Sequence, residues 1–258
     1  MTTASTTAVP LVTGPLSVQL YTVRDAIADD LPGTLARVAG LGFTLVEPYS
    51  FVDRADEYAE LLPANGLSAP SAHVKLVGQD LAPIFAAAKR LGIQTIIDPH
   101  IDESRWTTRA DIERVARDLS AIADQAATEG LTVGYHNHAF ELENVIDGTP
   151  ALEIFAAALA DGVFLEVDTY WAEVGGQDVT ALLGRLGDKV RFLHIKDGPK
   201  TASNKDQVAV GDGAMPVAEI LAIAPQALPV VELDDFDGDV FEAVADSYRY
   251  LTGGAASA

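Results

Sequence analysis

Three polar side chains in the second half of the chain could together hold a divalent metal ion. Asp168, His194 and Glu232 each lie at or near the end of a short apolar run that is typical of a buried strand. Alternate residues of a strand face the same side, so side chains that point inward from three successive strands would meet near one axis. Carboxylates that lie so close raise each other's pKa unless a positive charge compensates them. A bound divalent cation would supply that charge.

The available ligand types restrict which metal this could be. The chain has no cysteine, which excludes thiolate ligands and disulfides. Carboxylate oxygens with one imidazole suit Mn²⁺ or Mg²⁺, which we favour, and are compatible with Co²⁺ or Zn²⁺. We therefore expect one divalent metal ion as the cofactor.

All five histidines of the chain lie at predicted strand ends, where chance placement would have put some of them on helices. Lys196 shares a strand face with His194, and it could either contact a substrate or neutralise Glu166 or Glu47 inside the protein. The residues that we expect to bind substrate are Tyr21, Glu47, His73, His100, Trp106, His136, Tyr170 and Trp171. The two tryptophans could equally belong to the core.

The elements that must position these side chains alternate along the chain. Short runs rich in β-branched residues are separated by Ala- and Leu-rich stretches with helical periodicity. The eight predicted strands cover residues 16–23, 44–49, 67–74, 94–99, 131–137, 163–170, 190–196 and 228–234. The eight predicted helices cover about 31–40, 54–65, 80–91, 107–129, 149–160, 177–187, 214–224 and 238–251.

This order predicts an α/β fold, a single (βα)₈ TIM barrel with eight parallel strands, over residues 15–252. An open doubly wound sheet is the competing arrangement, but its first turn would usually carry glycines that bind a nucleotide. Residues 21–25 contain no glycine. We expect a flexible leader at 1–14 and a flexible tail at 253–258. In a barrel, catalytic side chains lie at the carboxyl ends of the strands, where the residues named above are found.

The charge of the chain excludes several classes of partner. Lys and Arg total 17 against 38 Asp and Glu, which gives a net charge of −21. Such a surface repels the phosphate backbone of nucleic acids and anionic membranes. No apolar run approaches about 18 residues and no basic, apolar leader is present, so we expect a cytoplasmic protein. The sequence leaves open a homo-oligomer or a second subunit.

Four segments carry a recognisable pattern. They are 135–141 (YHNHAFE), 165–169 (LEVDT), 194–197 (HIKD) and 231–232 (VE). Together they resemble the xylose isomerase-like barrel superfamily, which includes sugar phosphate isomerases/epimerases, ketose 3-epimerases and inosose dehydratases. The resemblance covers nearly the whole chain, and it implies that the protein is an enzyme that acts on a small sugar or keto-sugar.

The resemblance also implies four metal ligands, one from each of strands five to eight: Glu141, Asp168, His194 and Glu232. The fifth strand departs from the family pattern. Ketose epimerases end this strand with the metal-binding glutamate, whereas Tyr135 occupies that place here and Glu141 follows six residues later. His136 or His138 could therefore compete for the metal.

The reaction that this resemblance implies is that of a metal-dependent sugar isomerase or epimerase. Such an enzyme removes a proton next to a carbonyl and passes through an enediolate that the metal stabilises. In an epimerase, Glu141 and Glu232 would exchange protons on opposite faces of the substrate, and Lys196 could hold a substrate oxygen. The alternative is a metal-dependent lyase or dehydratase that acts on a keto-sugar, a keto-inositol or a 3-keto-glycoside. In that case His138 is the preferred base.

Two further functions fit the sequence less well. An endonuclease of the same superfamily would need three metals and a basic groove, which the net charge of −21 argues against. A non-catalytic barrel subunit is the other, and the candidate ligands on four strands argue against it.

Overall fold

The computed structural model of the protein describes residues 10–254. The predicted leader and tail therefore fall partly outside the described residues, at 1–9 and 255–258. Leu11 and Val12 both donate backbone N–H groups to the Leu251 carbonyl, at 2.9 and 2.8 Å. The beginning of the described chain is thus attached to the end of the last helix. The barrel boundaries at 15 and 252 stay a prediction.

Eight parallel strands form the centre of the fold. They are almost entirely buried, because both of their faces are covered. We number them β1 (Ser17–Gln19), β2 (Leu45–Glu47), β3 (Ser71–His73), β4 (Thr95–Asp98), β5 (Thr132–His136), β6 (Val163–Asp168), β7 (Val190–Ile195) and β8 (Leu228–Val231).

Hydrogen-bonded neighbours run in the order β2, β1, β8, β7, β6, β5, β4, β3. Two further parallel backbone bridges, Leu45 with Ser68 and Tyr49 with His73, join the β2 and β3 ends of this sheet. The sheet is therefore a nearly closed barrel with helices around it, which confirms the predicted (βα)₈ fold.

The principal helices surround the barrel, one after each strand. They are α1 (Leu31–Gly40), α2 (Ala55–Ala64), α3 (Leu81–Leu91), α4 (Arg109–Thr128), α5 (Ala151–Ala158), α6 (Val179–Leu186), α7 (Val217–Ile223) and α8 (Val240–Thr252). Polar side chains cap them. Asp30 accepts a hydrogen bond from the Gly33 N–H at 3.0 Å, and Thr108 accepts one from the Asp111 N–H at 3.2 Å. Within residues 10–254, no helix is both long enough and apolar enough to cross a membrane. The cytoplasmic location stays a prediction.

Several strands end earlier at their carboxyl ends than the sequence predicted, because a polar side chain there caps the segment that follows. The first was predicted to reach residue 23 but ends at Gln19, whose side-chain oxygen accepts from the Tyr21 N–H at 3.0 Å and begins a 3₁₀ turn. β6 was predicted to reach residue 170 but ends at Asp168, which accepts from the Trp171 N–H at 2.9 Å and caps the short helix Thr169–Val174. The chain thus leaves the sheet where the polar side chains begin.

Candidate metal and catalytic site at the barrel mouth

Four side chains at the carboxyl ends of β5 to β8 could hold a metal ion, and we call them the mouth group: His136, Asp168, His194 and Glu232. All four are buried, and one ligand atom of each lies within 4.8 Å of those of the other three. The pairing of β6 with β7 sets Asp168 directly beside His194. Three members are ligands that the sequence predicted, and His136 joins them from β5.

His136 is oriented as a neutral ligand. Its Nδ1 lies 3.0 Å from Glu166 Oε2, which can accept the ring N–H, and its Nε2 then faces Asp168 Oδ2 at 3.7 Å. Burial, followed by the neighbouring rings of His194 and His73, keeps the pKa of His136 well below its ordinary value. A neutral imidazole whose other nitrogen is hydrogen-bonded to a carboxylate is the form in which histidine binds metals.

A second cluster, the inner group, lies beside the mouth group and consists of Glu47, His73, Glu166 and His194. His73 Nε2 lies 2.5 Å from Glu166 Oε2 and 3.1 Å from Glu47 Oε1. His194 Nε2 lies 3.0 and 2.9 Å from the same two oxygens. Together with His136, the residues His73, Glu166 and His194 also lie close enough to hold a metal.

The inner group and the mouth group differ in how far their charges are balanced. Burial lowers the pKa of His73, but Glu166 and Glu47 outweigh burial and raise it to about 10. Burial likewise opposes the charged form of His194, yet Glu166 and Glu232 raise its pKa well above the ordinary value. Two imidazolium ions and two carboxylates therefore balance each other in the inner group, which needs no metal for neutrality.

The mouth of the barrel carries an excess of negative charge. Lys196 Nζ lies 2.8 Å from Asp168 Oδ2, 2.8 Å from Glu232 Oε2 and 2.8 Å from both Asp234 oxygens. Lys196 is 1% exposed, and although burial opposes its charge, Asp168 and Asp234 hold its pKa well above the ordinary value. Because His194 belongs to both groups, the charges are counted together: five carboxylates (Glu47, Glu166, Asp168, Glu232 and Asp234) face two imidazolium ions and one ammonium, which leaves two negative charges that a divalent cation would neutralise.

The state of Asp168 supports the same fit. Its Oδ2 is buried and lies 2.8 Å from the Lys196 ammonium and 3.7 Å from His136 Nε2. Burial raises the pKa of Asp168 to about 6, an effect that Lys196 only partly opposes. A buried carboxylate whose charge is only partly compensated, beside a neutral imidazole, is a ligand pair suited to a divalent cation. The residues present therefore fit the metal predicted from the sequence.

Glu141 lies outside the mouth group. Its Oε1 accepts a hydrogen bond from the Tyr135 hydroxyl at 2.6 Å, and its Oε2 accepts one from the His138 backbone N–H at 2.8 Å. Burial raises the pKa of Glu141 to about 8, although the bond from Tyr135 lowers it. In this structure Glu141 holds the backbone of His138, and its role as a metal ligand stays a prediction that rests on the family resemblance.

His138 has the properties of a free base. Its ring is partly exposed and packs edge-on against the rings of His136 and His100 at 5.3 and 5.4 Å. Its buried Nδ1 lies 4.0 Å from Glu141 Oε1 and has no hydrogen-bond partner among the described residues. Burial, followed by the charge of Lys196, lowers the pKa of His138 to about 4. The imidazole is therefore neutral near pH 7 and able to accept a proton.

A cavity of about 870 Å³ opens onto this site. His136, His138 and Glu232 line it on the side of β5 and β8, and Tyr21 and Tyr49 line it on the side of β1 and β2. Candidate ligands, a candidate base and aromatic walls thus share one space that a small molecule can enter.

Five of the residues expected to bind substrate line this cavity: Tyr21, His73, His100, His136 and Trp171. Three others lie elsewhere. Glu47 belongs to the inner group. Trp106 is a core residue, 1% exposed, whose Nε1–H donates to the Ile101 carbonyl at 3.2 Å. Tyr170 is buried and its hydroxyl donates to the Thr201 carbonyl at 3.0 Å, which anchors the loop after β7.

Two residues that the sequence did not single out as site residues support Lys196. Asp234 contacts Lys196 and accepts hydrogen bonds from the Trp171 indole N–H at 2.9 Å and the Gln207 amide at 2.7 Å. Gln207 Oε1 in turn accepts from the Asp234 backbone N–H at 2.8 Å. Asp234 could have been found, because it alternates with Glu232. Gln207 lies in a loop with no periodic pattern, and no signal marks it.

Comparison with known proteins agrees with the expected family. Residues 8–226 match the family described as xylose isomerase-like TIM barrel. The inosose dehydratase of Lacticaseibacillus casei is 25% identical over 122 residues, which is 44% of this chain and 38% of that protein. The chain thus matches well under two thirds of the length of this curated relative.

Solved structures share the fold over nearly the full length. A sugar phosphate isomerase/epimerase from Parabacteroides distasonis ATCC 8503 has a TM-score of 0.79 and 22% identity, and the match covers 96% of both chains. The IOLI protein, solved with a zinc atom, has a TM-score of 0.70 and 16% identity, with 92% of this chain and 96% of that chain covered. At these identities the likeness shows the fold alone.

Proposed function

Because the chain belongs to the xylose isomerase-like TIM barrel family, we propose that it uses a divalent cation and a histidine base to remove the proton beside the carbonyl of a keto-sugar and to eliminate a neighbouring substituent. The observation that carries this proposal is that two members of the mouth group, His136 and Glu232, line the same cavity as the candidate base His138, whereas Glu141 does not line it.

The mouth group would hold the cation through His136 Nε2, His194 and the carboxylates of Asp168 and Glu232. His194 would bind through Nδ1, which lies 2.5 Å from Glu232 Oε2, after that nitrogen gives up its proton, while its Nε2 keeps its proton and faces the inner group. When bound, the cation supplies Lewis-acid polarisation of the substrate carbonyl. Mn²⁺ and Mg²⁺ remain the proposed metals, and zinc in the similar IOLI structure makes Zn²⁺ a third to test.

His138 would take the proton from the carbon next to the carbonyl. Its neutral ring is partly exposed and lines the cavity beside His136. Its backbone is fixed by the hydrogen bond from its N–H to Glu141, which limits how far the ring can drift from the reacting carbon. A positioned base of this kind contributes roughly 10²- to 10⁴-fold to a rate.

A single base favours elimination over epimerisation. Epimerisation needs a second acid on the opposite face of the substrate, and the predicted pair was Glu141 with Glu232. Glu141 is turned toward Tyr135 and the His138 backbone, and Glu232 Oε2 is engaged by His194 and Lys196. In an elimination, His138 removes the proton, the C–H electron pair forms a C=C bond, and the C–O bond to the substituent breaks. His138 can then pass its proton to the departing oxygen, so water or an alcohol leaves neutral.

Product analysis tests this proposal. The metal-loaded protein is incubated with a 3-keto-glucoside, a keto-inositol and a ketohexose, and products are followed by ¹H NMR. We expect an unsaturated ketone together with released alcohol or water, and no such product from the His138→Gln variant. Formation of a stereoisomer without loss of a substituent would overturn elimination and support the epimerase instead.

A further inference from the structure

The cavity is larger than a single sugar needs. A liquid water molecule occupies about 30 Å³, so at that volume per heavy atom the twelve heavy atoms of a hexose take at most about 360 Å³. The cavity measures about 870 Å³. More than half of it therefore stays free when one monosaccharide sits against the mouth group.

The cavity extends beyond the candidate metal ligands. Of the mouth group, His136 and Glu232 line it from β5 and β8, whereas the segments that follow β1, β2 and β3 supply a separate part of its wall. Five residues of these segments form what we call the outer chamber: Tyr21, Tyr49, Val52, Pro83 and Ile84. All of them present apolar or aromatic side chains, and none carries a formal charge.

The two tyrosines of the outer chamber are fixed in place. Tyr21 and Tyr49 meet edge to face, with ring centroids 5.3 Å apart and planes at 90°. The Arg24 guanidinium packs 4.3 Å from the centre of the Tyr21 ring and donates to the Tyr21 carbonyl at 3.0 Å. Tyr21 is nevertheless 40% exposed. A rigid, partly exposed aromatic surface inside a cavity is suited to stacking with another ring, because little entropy is lost on contact.

The backbone beside Tyr49 is held in a conformation that few side chains adopt. Ser50 has φ of 43°, in the left-handed region, and its N–H donates to the His73 carbonyl at 2.9 Å. This turn directs Phe51 into the core, where it is 0% exposed, and leaves Tyr49 at the cavity. Strained non-glycine residues persist where the surrounding structure enforces them, often at ligand-binding sites.

We propose that the outer chamber binds an aromatic ring carried as a substituent by the keto-sugar substrate, so that the substrate is an aryl-substituted sugar rather than a free monosaccharide. This inference rests on the proposed function for the sugar end of the ligand. Five polar or charged residues of the same segments also line the cavity: Arg24, Ser50, Lys75, Gln79 and Asp80. The last four are exposed, and Arg24 packs against the Tyr21 ring. Apolar walls favour an aromatic ring over a second sugar ring, whose hydroxyl groups would lose hydrogen bonds to water.

Binding of unreactive ligands tests the chamber without any turnover. The metal-loaded protein is titrated by calorimetry with methyl β-glucoside, phenyl β-glucoside and cellobiose, which have the same sugar end and no reactive ketone. We expect phenyl β-glucoside to bind about tenfold to hundredfold more tightly than methyl β-glucoside, the gain expected from burying one aromatic ring. The affinity of cellobiose should exceed that of methyl β-glucoside by less than the affinity of phenyl β-glucoside does.

Two variants test whether the preference for the phenyl compound arises at the outer chamber. Tyr49→Ala should reduce the phenyl-to-methyl ratio to within about threefold and leave metal content unchanged, because Tyr49 follows β2 and lies outside the mouth group. Tyr250→Ala is the matched control, since Tyr250 is 43% exposed and lies outside the cavity. It should leave the ratio at the wild-type value.

The outcomes separate the chamber from the proposed reaction. Equal affinities for the phenyl and methyl compounds, no binding of either, or a larger gain for cellobiose would each overturn the aromatic chamber. A phenyl preference that depends on Tyr49 supports the chamber even if no keto-sugar is converted, and in that case only the proposed reaction fails. Conversion of keto-sugars without a phenyl preference rejects the chamber alone.

Discussion

Replacing Lys196 by methionine should make the metal-free protein much less stable and more responsive to metal. The Lys196 ammonium is buried and lies 2.8 Å from carboxylate oxygens of Asp168, Glu232 and Asp234. Methionine fills a similar volume but removes the charge, which leaves buried Asp168 without its ammonium partner and takes one positive partner from Glu232 and from the partly exposed Asp234. Breaking a buried ion pair from one side costs about 3–5 kcal/mol.

That cost converts into a measurable shift of the melting temperature. For a chain of this size, 1 kcal/mol shifts Tm by about 2–4 °C, so the Lys196→Met variant should melt about 6–20 °C below wild type in chelator. Lys89→Met is the matched control, because Lys89 pairs with Glu129 at 2.7 Å on an exposed surface where such pairs contribute less than about 1 kcal/mol. The control should change Tm by less than about 4 °C.

Metal addition completes the test. The ammonium and a divalent cation neutralise the same carboxylates, so Mn²⁺ should raise the Tm of Lys196→Met by more than it raises the Tm of wild type. Thermal unfolding is followed by circular dichroism with chelator and then with excess Mn²⁺. If Lys196→Met melts in chelator as the control does, or gains no more from Mn²⁺ than wild type, the assigned role of Lys196 is refuted.

Three further predictions concern the base, a ligand and the buried glutamate. His138→Gln should lower kcat by about 10²- to 10⁴-fold without changing metal content, and an unchanged kcat would remove His138 as the base. Asp168→Asn should keep its cap on the Trp171 N–H but weaken metal binding by at least about tenfold in calorimetry, and full affinity would exclude Asp168 as a ligand. The pKa of Glu141 is about 8 in the folded protein, whereas its ordinary value is 4.5. As the pH rises, the unfolded chain therefore loses the Glu141 proton at a lower pH than the folded protein does. In urea unfolding, the free energy of unfolding of metal-free wild type should therefore fall as the pH rises from about 4.5 to 8. In the Glu141→Gln variant this contribution to the decrease should be missing. An identical pH dependence in the two proteins would contradict the effect of burial on Glu141.

The fold could be predicted from the sequence because its signals are repetitive. Eight apolar runs alternate with eight helical stretches, and parallel strands buried on both faces leave few other arrangements. The strand ends were predicted less well. Gln19 and Asp168 look like strand residues by composition, yet each caps the segment that follows and so ends its strand.

The metal ligands were predictable where they continue the strand pattern. Asp168 and His194 lie on adjacent, paired strand positions, and alternation alone sets them on one face. The fifth-strand contribution was harder to predict, because which of His136, His138 and Glu141 faces the metal depends on local hydrogen bonds. The Tyr135 hydroxyl draws Glu141 away from the mouth group, a contact that sequence spacing does not reveal.

Aromatic wall residues were the least predictable. Trp106 and Tyr170 follow strands as Trp171 does, but only Trp171 lines the cavity. The difference arises from tertiary contacts: Trp106 packs against Tyr135 with centroids 5.2 Å apart, while the Trp171 indole N–H binds Asp234. Neither contact has a local sequence signal.

Proton exchange in D₂O tests the central claim, that a metal-dependent base site at the barrel mouth activates the hydrogen beside a keto-sugar carbonyl. Protein stripped with chelator and the same protein reloaded with Mn²⁺, Mg²⁺ or Zn²⁺ are incubated with keto-sugars, and deuterium incorporation is followed by NMR. The account predicts deuterium in recovered substrate or product only with the reloaded protein, and none with reloaded His138→Gln. Exchange that survives complete removal of metal, or no exchange with any metal and any keto-sugar, would contradict it.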